Sequence, residues 1–151
     1  MNVRKAELND VYQIKNLINV NANKGLMLPV SVNQLYERIR DFWVIVDDKN
    51  KVVGCGALKI VWKDLGEIRS LAIKNNLRQK GHGKLLINRL LEEAKDIGLK
   101  KVFVLTYVPA FFEKSSFHKT EKSKLPHKIW MDCINCPKFP RCDETALLKI
   151  L

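Results

Sequence analysis

The sequence predicts a single α/β domain, a mixed central sheet flanked by helices. Three observations carry that reading. Apolar residues recur at spacings of three and four in some segments and as short strand-like runs in others. The order of the segments, two consecutive strands and then strand, loop, helix and strand, is that of a mixed sheet. The chain has 151 residues, 46% hydrophobic and 28% charged, enough for one buried core with little room for a second.

Val3 to Ala6 reads as a first strand. From Asn9, the positions Val11, Ile14, Leu17 and Ile18 form one helical face, which Asn9 or Asp10 can cap and Lys24-Gly25 ends. Ser31 followed by Gln34 is a capping-box pair opening a second helix through Leu35 and Ile39. Phe42 to Val46 and Val52 to about Trp62, joined by the polar turn Asp47-Asp48-Lys49-Asn50, read as a hairpin with one buried face. Gly66 to Ile73 is the next strand, followed by a polar loop from Lys74 to Gly83. Lys84 to Ile97, with Leu85, Leu86, Leu90, Leu91 and Ala94, is the strongest helical pattern, and Gly98 suits its C-terminal cap. Lys101 to Tyr107 reads as a buried strand and Pro109 to Ser116 as a short helix. Strand-like pieces remain near Ile129-Trp130-Met131 and from Ala146 to Ile150, with no repeat and no linker, so residues 1–151 are expected to form one domain.

Lys and Arg number 27 against 16 acidic residues, a formal net charge of +11. Such a field favours anionic partners. The basic residues are spread from Arg4 to Lys149 rather than gathered on one arm, which argues against a nucleic-acid binder. No apolar run is long enough to span a membrane, and charges at Arg4, Lys5 and Glu7 stand where a signal peptide needs apolar residues. A cytoplasmic protein is expected.

The most informative segment is Arg78-Gln79-Lys80-Gly81-His82-Gly83, between a strand and an amphipathic helix. Glycines let the backbone approach a ligand closely, and the N–H groups and dipole of the helix start favour an anion such as a pyrophosphate. The alternative is an ordinary glycine turn capping a helix. The spacing is neither a dinucleotide-binding fingerprint nor a Walker loop. Arg/Gln-x-x-Gly-x-Gly/Ala in this position resembles the acetyl-CoA motif of the GNAT acetyltransferase superfamily. Leu71-Ala72-Ile73 resembles the triplet that precedes that loop, and Phe111-Phe112-Glu113-Lys114-Ser115-Ser116-Phe117 resembles its later aromatic helix.

A narrower resemblance runs through Gly54-Cys55-Gly56-Ala57-Leu58, Gly66-Glu67, Leu71-Ala72, Phe103-Val104-Leu105-Thr106 and Leu125-Pro126-His127-Lys128. Together these look like the acetyltransferase domain of N-acetylglutamate synthases, which acetylate the α-amino group of glutamate at the entry to arginine synthesis. The resemblance implies a stand-alone short form, lacking the kinase-like domain of longer members. It also implies acetyl-CoA as cosubstrate, with Arg78, Gln79, Lys80, Gly81, His82, Gly83 and Lys84 around the pyrophosphate. Leu71, Ala72 and Ile73 would then offer backbone groups to the pantetheine arm, a backbone N–H near Leu71 serving as oxyanion donor. His82, at a variable motif position, is expected to be exposed loop.

Acetyl transfer also needs a neutral amine. Period two places Glu67 on one strand face with Arg69, Leu71 and Ile73. In related enzymes a glutamate here serves as general base, the alternative being a carboxylate ion-paired with Arg69. The tyrosine that many members use to protonate the leaving thiolate is Phe112 here, which has no proton to give; it is expected to border the cofactor. Tyr107 is a substitute acid, and an ordinary thiol pKa of about 8–9 lets the thiolate leave unaided. Glutamate's two carboxylates call for charged donors, and Arg4 (or its neighbour Lys5), Lys24, Arg69 and Lys128 are the candidates. A homodimer is left open.

Cys133, Cys136 and Cys142 lie within ten residues of a cysteine-rich segment at about 127–144. A C-x2-C pair is half of a zinc site, and Asp143, His127 or His118 could complete it. Zinc, a redox pair and reduced structural thiols all fit the spacing. Cys55 is expected to be a small buried residue. A competing reading keeps the fold and changes the amine; another makes the chain a zinc-stabilised nucleic-acid-binding module.

Overall fold

Strand β1 (Asn2–Lys5) opens a seven-stranded sheet whose other members are β2 (Phe42–Val46), β3 (Val52–Trp62), β4 (Leu65–Ile73), β5 (Lys101–Thr106), β6 (His118–Lys119) and β7 (Thr145–Ile150). The helices are α1 (Val11–Asn23), α2 (Val32–Arg38), α3 (His82–Asp96) and α4 (Pro109–Glu113). The computed structural model describes residues 1–77, 80–125 and 144–151. The strand order is β1-β2-β3-β4-β5-β7-β6, and every pairing is antiparallel except β4 with β5. This is the mixed sheet expected. The strand anticipated near residues 129–131 lies outside the described residues. β6 has no counterpart in the sequence reading, because two residues carry no periodicity.

Helices cover both faces. On one, Val11, Ile14 and Ile18 of α1 and Leu35 of α2 pack against Phe42, Val44, Cys55, Ala57 and Ala72. On the other, Ile87, Leu90, Leu91 and Ala94 of α3 pack against Leu58, Ile68, Val102, Val104 and Leu147. The β2–β3 hairpin is consequently buried on both faces from Val53 to Leu58, not on one as expected. Only past Leu58, where the helices no longer cover it, do exposed residues such as Ile60 and Trp62 appear.

Local signals act as read. Ser31 Oγ accepts from Gln34 N at 3.1 Å and Gln34 Oε1 accepts from Ser31 N at 3.0 Å. Gly98 (φ +92°) ends α3, with Leu99 N donating to Ala94 O and Gly98 N to Lys95 O, so two terminal carbonyls are satisfied. Asp10 is the exception. Its carboxylate does not cap α1; it accepts from Glu7 N at 2.7 Å and from both terminal nitrogens of Arg4 at 2.8 and 3.0 Å.

Burial would raise the Asp10 pKa, but the Arg4 and Glu7 hydrogen bonds outweigh it and hold the carboxyl below its ordinary range. A depressed folded pKa contributes stability above the unfolded value, near 3.9, that is lost as pH falls through the lower folded value. Asp10→Asn is expected to cost about 1–2 kcal/mol at neutral pH, solvent at Arg4 screening part of the pair. Melting temperatures of the two chains between pH 7 and pH 2 should therefore converge in acid.

Candidate functional site

The ladder between β4 and β5 runs only from Leu65↔Lys101 to Ile68↔Val104. Beyond it β4 continues to Ile73 beside β3 alone, while β5 continues to Thr106 beside β7. The two strands part, and among the described residues no strand lines the opened edge of β4. Backbone groups need partners, so this edge presents a row of N–H and C=O groups to whatever enters. β4 leads to α3 and β5 to α4, so the cleft lies beyond the carboxyl ends of two parallel strands, where α/β sheets bind ligands.

A bulge sets which side chains face the cleft floor. Ala57 pairs with Arg69 and Cys55 with Ala72, so Ser70 and Leu71 together stand opposite Gly56. Ser70 takes φ +55°, a left-handed conformation uncommon for a residue with a side chain. The extra residue inverts the alternation. Glu67, Arg69 and Ala72 face α1 and α2, whereas Leu71 and Ile73 face α3. The expectation that Glu67 shares a face with Leu71 and Ile73 is therefore corrected: period two holds only in an unbulged strand. The bulge also leaves Leu71 Cδ1 2.9 Å from where a Cβ on Gly56 would sit.

Gly81 is the N-cap of α3 at φ +88°, with open space around its Cα, so its requirement is conformational. α3 begins at His82, two residues earlier than its apolar pattern suggests, because the pattern marks only the buried turns. His82 is half-buried rather than exposed loop, its Nδ1 lying 3.3 Å from Leu77 O. Lys80 and Lys84 are exposed at the helix start, and Arg78 and Gln79 lie outside the described residues. The N–H groups of the first turn have no intrahelical acceptor and, with the helix dipole, give this end a field that favours anions.

Phe112, expected at the cofactor, is 3% exposed, edge-to-face with Phe111 and Phe117 in the core. The ring of α4 that reaches the start of α3 is Phe111, whose Cζ lies 2.7 Å from the position of a Cβ on Gly83. Sequence reasoning missed Phe111, since two adjacent phenylalanines on a short helix do not show which points inward. It also missed the bulge, for which Gly56 on the facing strand is the one hint.

Glu67 is buried, with its Oε1 3.3 Å from Arg69 Nε. Arg4, expected to bind substrate, donates through its two terminal nitrogens to Asp10, Asn50 Oδ1 and Lys5 O. Its neighbour Lys5 is likewise engaged, with Glu93 at 3.2 Å and over the Trp43 ring. Lys24 is exposed at the end of α1, and Tyr107 is half-buried where β5 has left β4. Lys128, Cys133, Cys136 and Cys142 lie outside the described residues, as do His127 and Asp143; His118 is exposed in β6. Among the described residues no group of three metal-ligating side chains occurs, and no helix is long and apolar enough to cross a membrane. Cys55 is fully buried, as expected, and burial pushes its thiol up to about 12.

The bulge is testable by substitution. Ser70→Gly should keep the fold, whereas Ser70→Val, whose β-branched side chain resists positive φ, should lose about 1–3 kcal/mol in a chemical denaturation series.

The family description "Acetyltransferase (GNAT) family" matches residues 8–117. An N-acetyltransferase of Chlorobaculum tepidum, itself uncharacterized, is 42% identical over 149 residues, covering 99% of this chain and 96% of that protein. The amino-acid acetyltransferase of Mycobacterium tuberculosis is 39% identical over 130 residues, 85% of this chain and 74% of that protein. The crystal structure of N-acetylglutamate synthase from Neisseria gonorrhoeae with coenzyme A and N-acetyl-glutamate superposes with a TM-score of 0.90 at 26% identity, over 99% of this chain and 35% of that one. The parted parallel strands, the glycine-capped helix between them and the match over residues 8–117 agree: the chain belongs to the GNAT acetyltransferase family.

Proposed function

We propose that this chain transfers an acetyl group from acetyl-CoA to the α-amino group of L-glutamate. The observation that carries the reading is the opened edge of β4 leading to the start of α3. An extended, amide-rich arm can pair with that edge while a pyrophosphate meets the first-turn N–H groups. Support for the acceptor comes from the relatives: the Mycobacterium protein is named for amino acids, and the Neisseria structure holds coenzyme A and N-acetyl-glutamate. The reading takes residues 1–151 as one catalytic domain.

In this scheme the amine attacks the thioester carbonyl, its C–N bond forms, and the C–S bond breaks as the tetrahedral intermediate collapses. A backbone N–H near Leu71, on the opened edge, stabilises the oxyanion. Glu67 takes the ammonium proton. With 8% of its side chain exposed, it does so through water rather than by direct contact. Arg69 Nε lies 3.3 Å from that carboxylate and orients it. The thiolate takes a proton from Tyr107 or from solvent. Arg4, Lys24 and Lys128 are the candidate cations for the substrate carboxylates, with Arg69 shared between substrate and Glu67.

Glu67→Gln should cut turnover by roughly 10²–10⁴ with acetyl-CoA affinity nearly intact, as read by steady-state rates beside a calorimetric titration. A loss below about threefold would assign the proton to solvent or another group.

The acceptor is tested by comparing glutamate with glutamine, which isolates one negative charge. Losing a charge-assisted contact costs about 1.5–3 kcal/mol, so kcat/KM should favour glutamate by about tenfold to a hundredfold. Lys128→Ala should erase much of that difference. Equal use of glutamine, or of an amino acid without a side-chain carboxylate, would remove glutamate and leave acetyl transfer standing.

A further inference from the structure

Gly83 belongs to the first turn of α3, and its Cα is covered by the ring of Phe111. A Cβ there would lie 2.7 Å from Phe111 Cζ, 3.2 Å from Cε2 and 3.7 Å from Cε1. The first distance is shorter than carbon atoms tolerate and the second is tight, so one side must yield. The ring is backed on one side. It stands edge-to-face on Phe112 at 5.1 Å and 82°, and Phe112 stands likewise on Phe117 at 5.6 Å and 76°. Phe112 and Phe117 are 3% and 1% exposed, in the cluster that includes Ile87, Leu90 and Leu91 of α3. Phe111 itself is half-buried at the edge of that cluster, so Phe112 backs its ring on one side while the other side is partly exposed.

The row crosses the cleft. Phe111 and Phe112 belong to α4, which comes after β5; Gly83 belongs to α3, which comes after β4. The two strands share no ladder beyond Ile68 and Val104, so sheet hydrogen bonds do not fix the distance between α3 and α4.

We propose that Phe111 is a positioning residue for acetyl-CoA: its ring, seated on the Cα of Gly83, sets the place of the first-turn N–H groups of α3. In this chain the ring occupies the place that a Cβ at 83 would take. The inference rests on the reading that this helix start holds the pyrophosphate of acetyl-CoA, and it adds the side chain that holds the helix start.

The test uses Phe111→Leu, Gly83→Ala and the double variant, with calorimetric acetyl-CoA titration, steady-state kinetics and thermal melts. Misplacing binding groups by about an ångström costs up to a hundredfold, so Phe111→Leu should raise the KM for acetyl-CoA about tenfold. The KM for the acceptor should stay within about twofold, a split that general loosening would not give. Gly83→Ala should weaken acetyl-CoA about tenfold to a hundredfold. Phe111→Leu removes the ring atoms in the way, so the double variant should bind about as well as Phe111→Leu alone, even where Gly83→Ala by itself fails to fold. Unchanged acetyl-CoA affinity in Phe111→Leu would overturn the proposal, as would a double variant that folds but binds no better than Gly83→Ala. A double variant that does not fold leaves Phe111→Leu to decide by the same KM split. An unsubstituted chain that shows no acetyl-CoA binding would overturn the functional reading itself.

Discussion

β4 and β5 pair over four residues and then separate, and the rest of the site depends on that separation. A parallel pair that continued would satisfy its own backbone groups and leave nothing for a ligand. Because the ladder stops at Ile68 and Val104, the last five residues of β4 keep β3 on one side and an open edge on the other. Separation is tolerated because the two strands are held independently: β4 by its long antiparallel pairing with β3, β5 by six pairs with β7. Without those outer ladders, orphaned groups on both strands would favour closing the gap.

The bulge works within the same constraint. By placing two residues, Ser70 and Leu71, opposite Gly56, β4 turns Leu71 and Ile73 toward α3 while Glu67 and Arg69 stay toward α1 and α2. One strand thereby serves two purposes. Its later part is apolar where it supports α3. Its earlier part is charged, with a buried carboxylate and its arginine partner 3.3 Å apart. A regular strand would have placed those charges and the apolar residues on one face, at the cost of a buried charge against α3.

Charge on this chain divides between structure and surface. Arg4 and Lys5 are engaged inside the fold, on Asp10 and on the Glu93–Trp43 contact of α3 with β2. Lys24, Lys80 and Lys84 stay exposed, and those at 80 and 84 flank the start of α3, where they add to the helix dipole. The net charge of +11 is therefore a field available to anionic ligands, while the cations that touch named partners are a smaller set.

The sequence by itself determined what depends on near neighbours. The capping box of α2, the glycine at the end of α3 and the apolar faces of α1 and α3 all rest on interactions within a few residues. The family resemblance was legible too, because its motifs are short and contiguous. Tertiary structure alone decided what depends on contacts distant in the chain. That Arg4 meets Asp10 and Asn50 is one such contact. Phe112 looked like a cofactor contact, and it is Phe111 that meets Gly83, because which of two adjacent rings turns inward is set by Phe117 and α3. The side on which Glu67 lies was settled by a bulge at Ser70, which arises from pairing with β3 and leaves no periodicity in β4 to read.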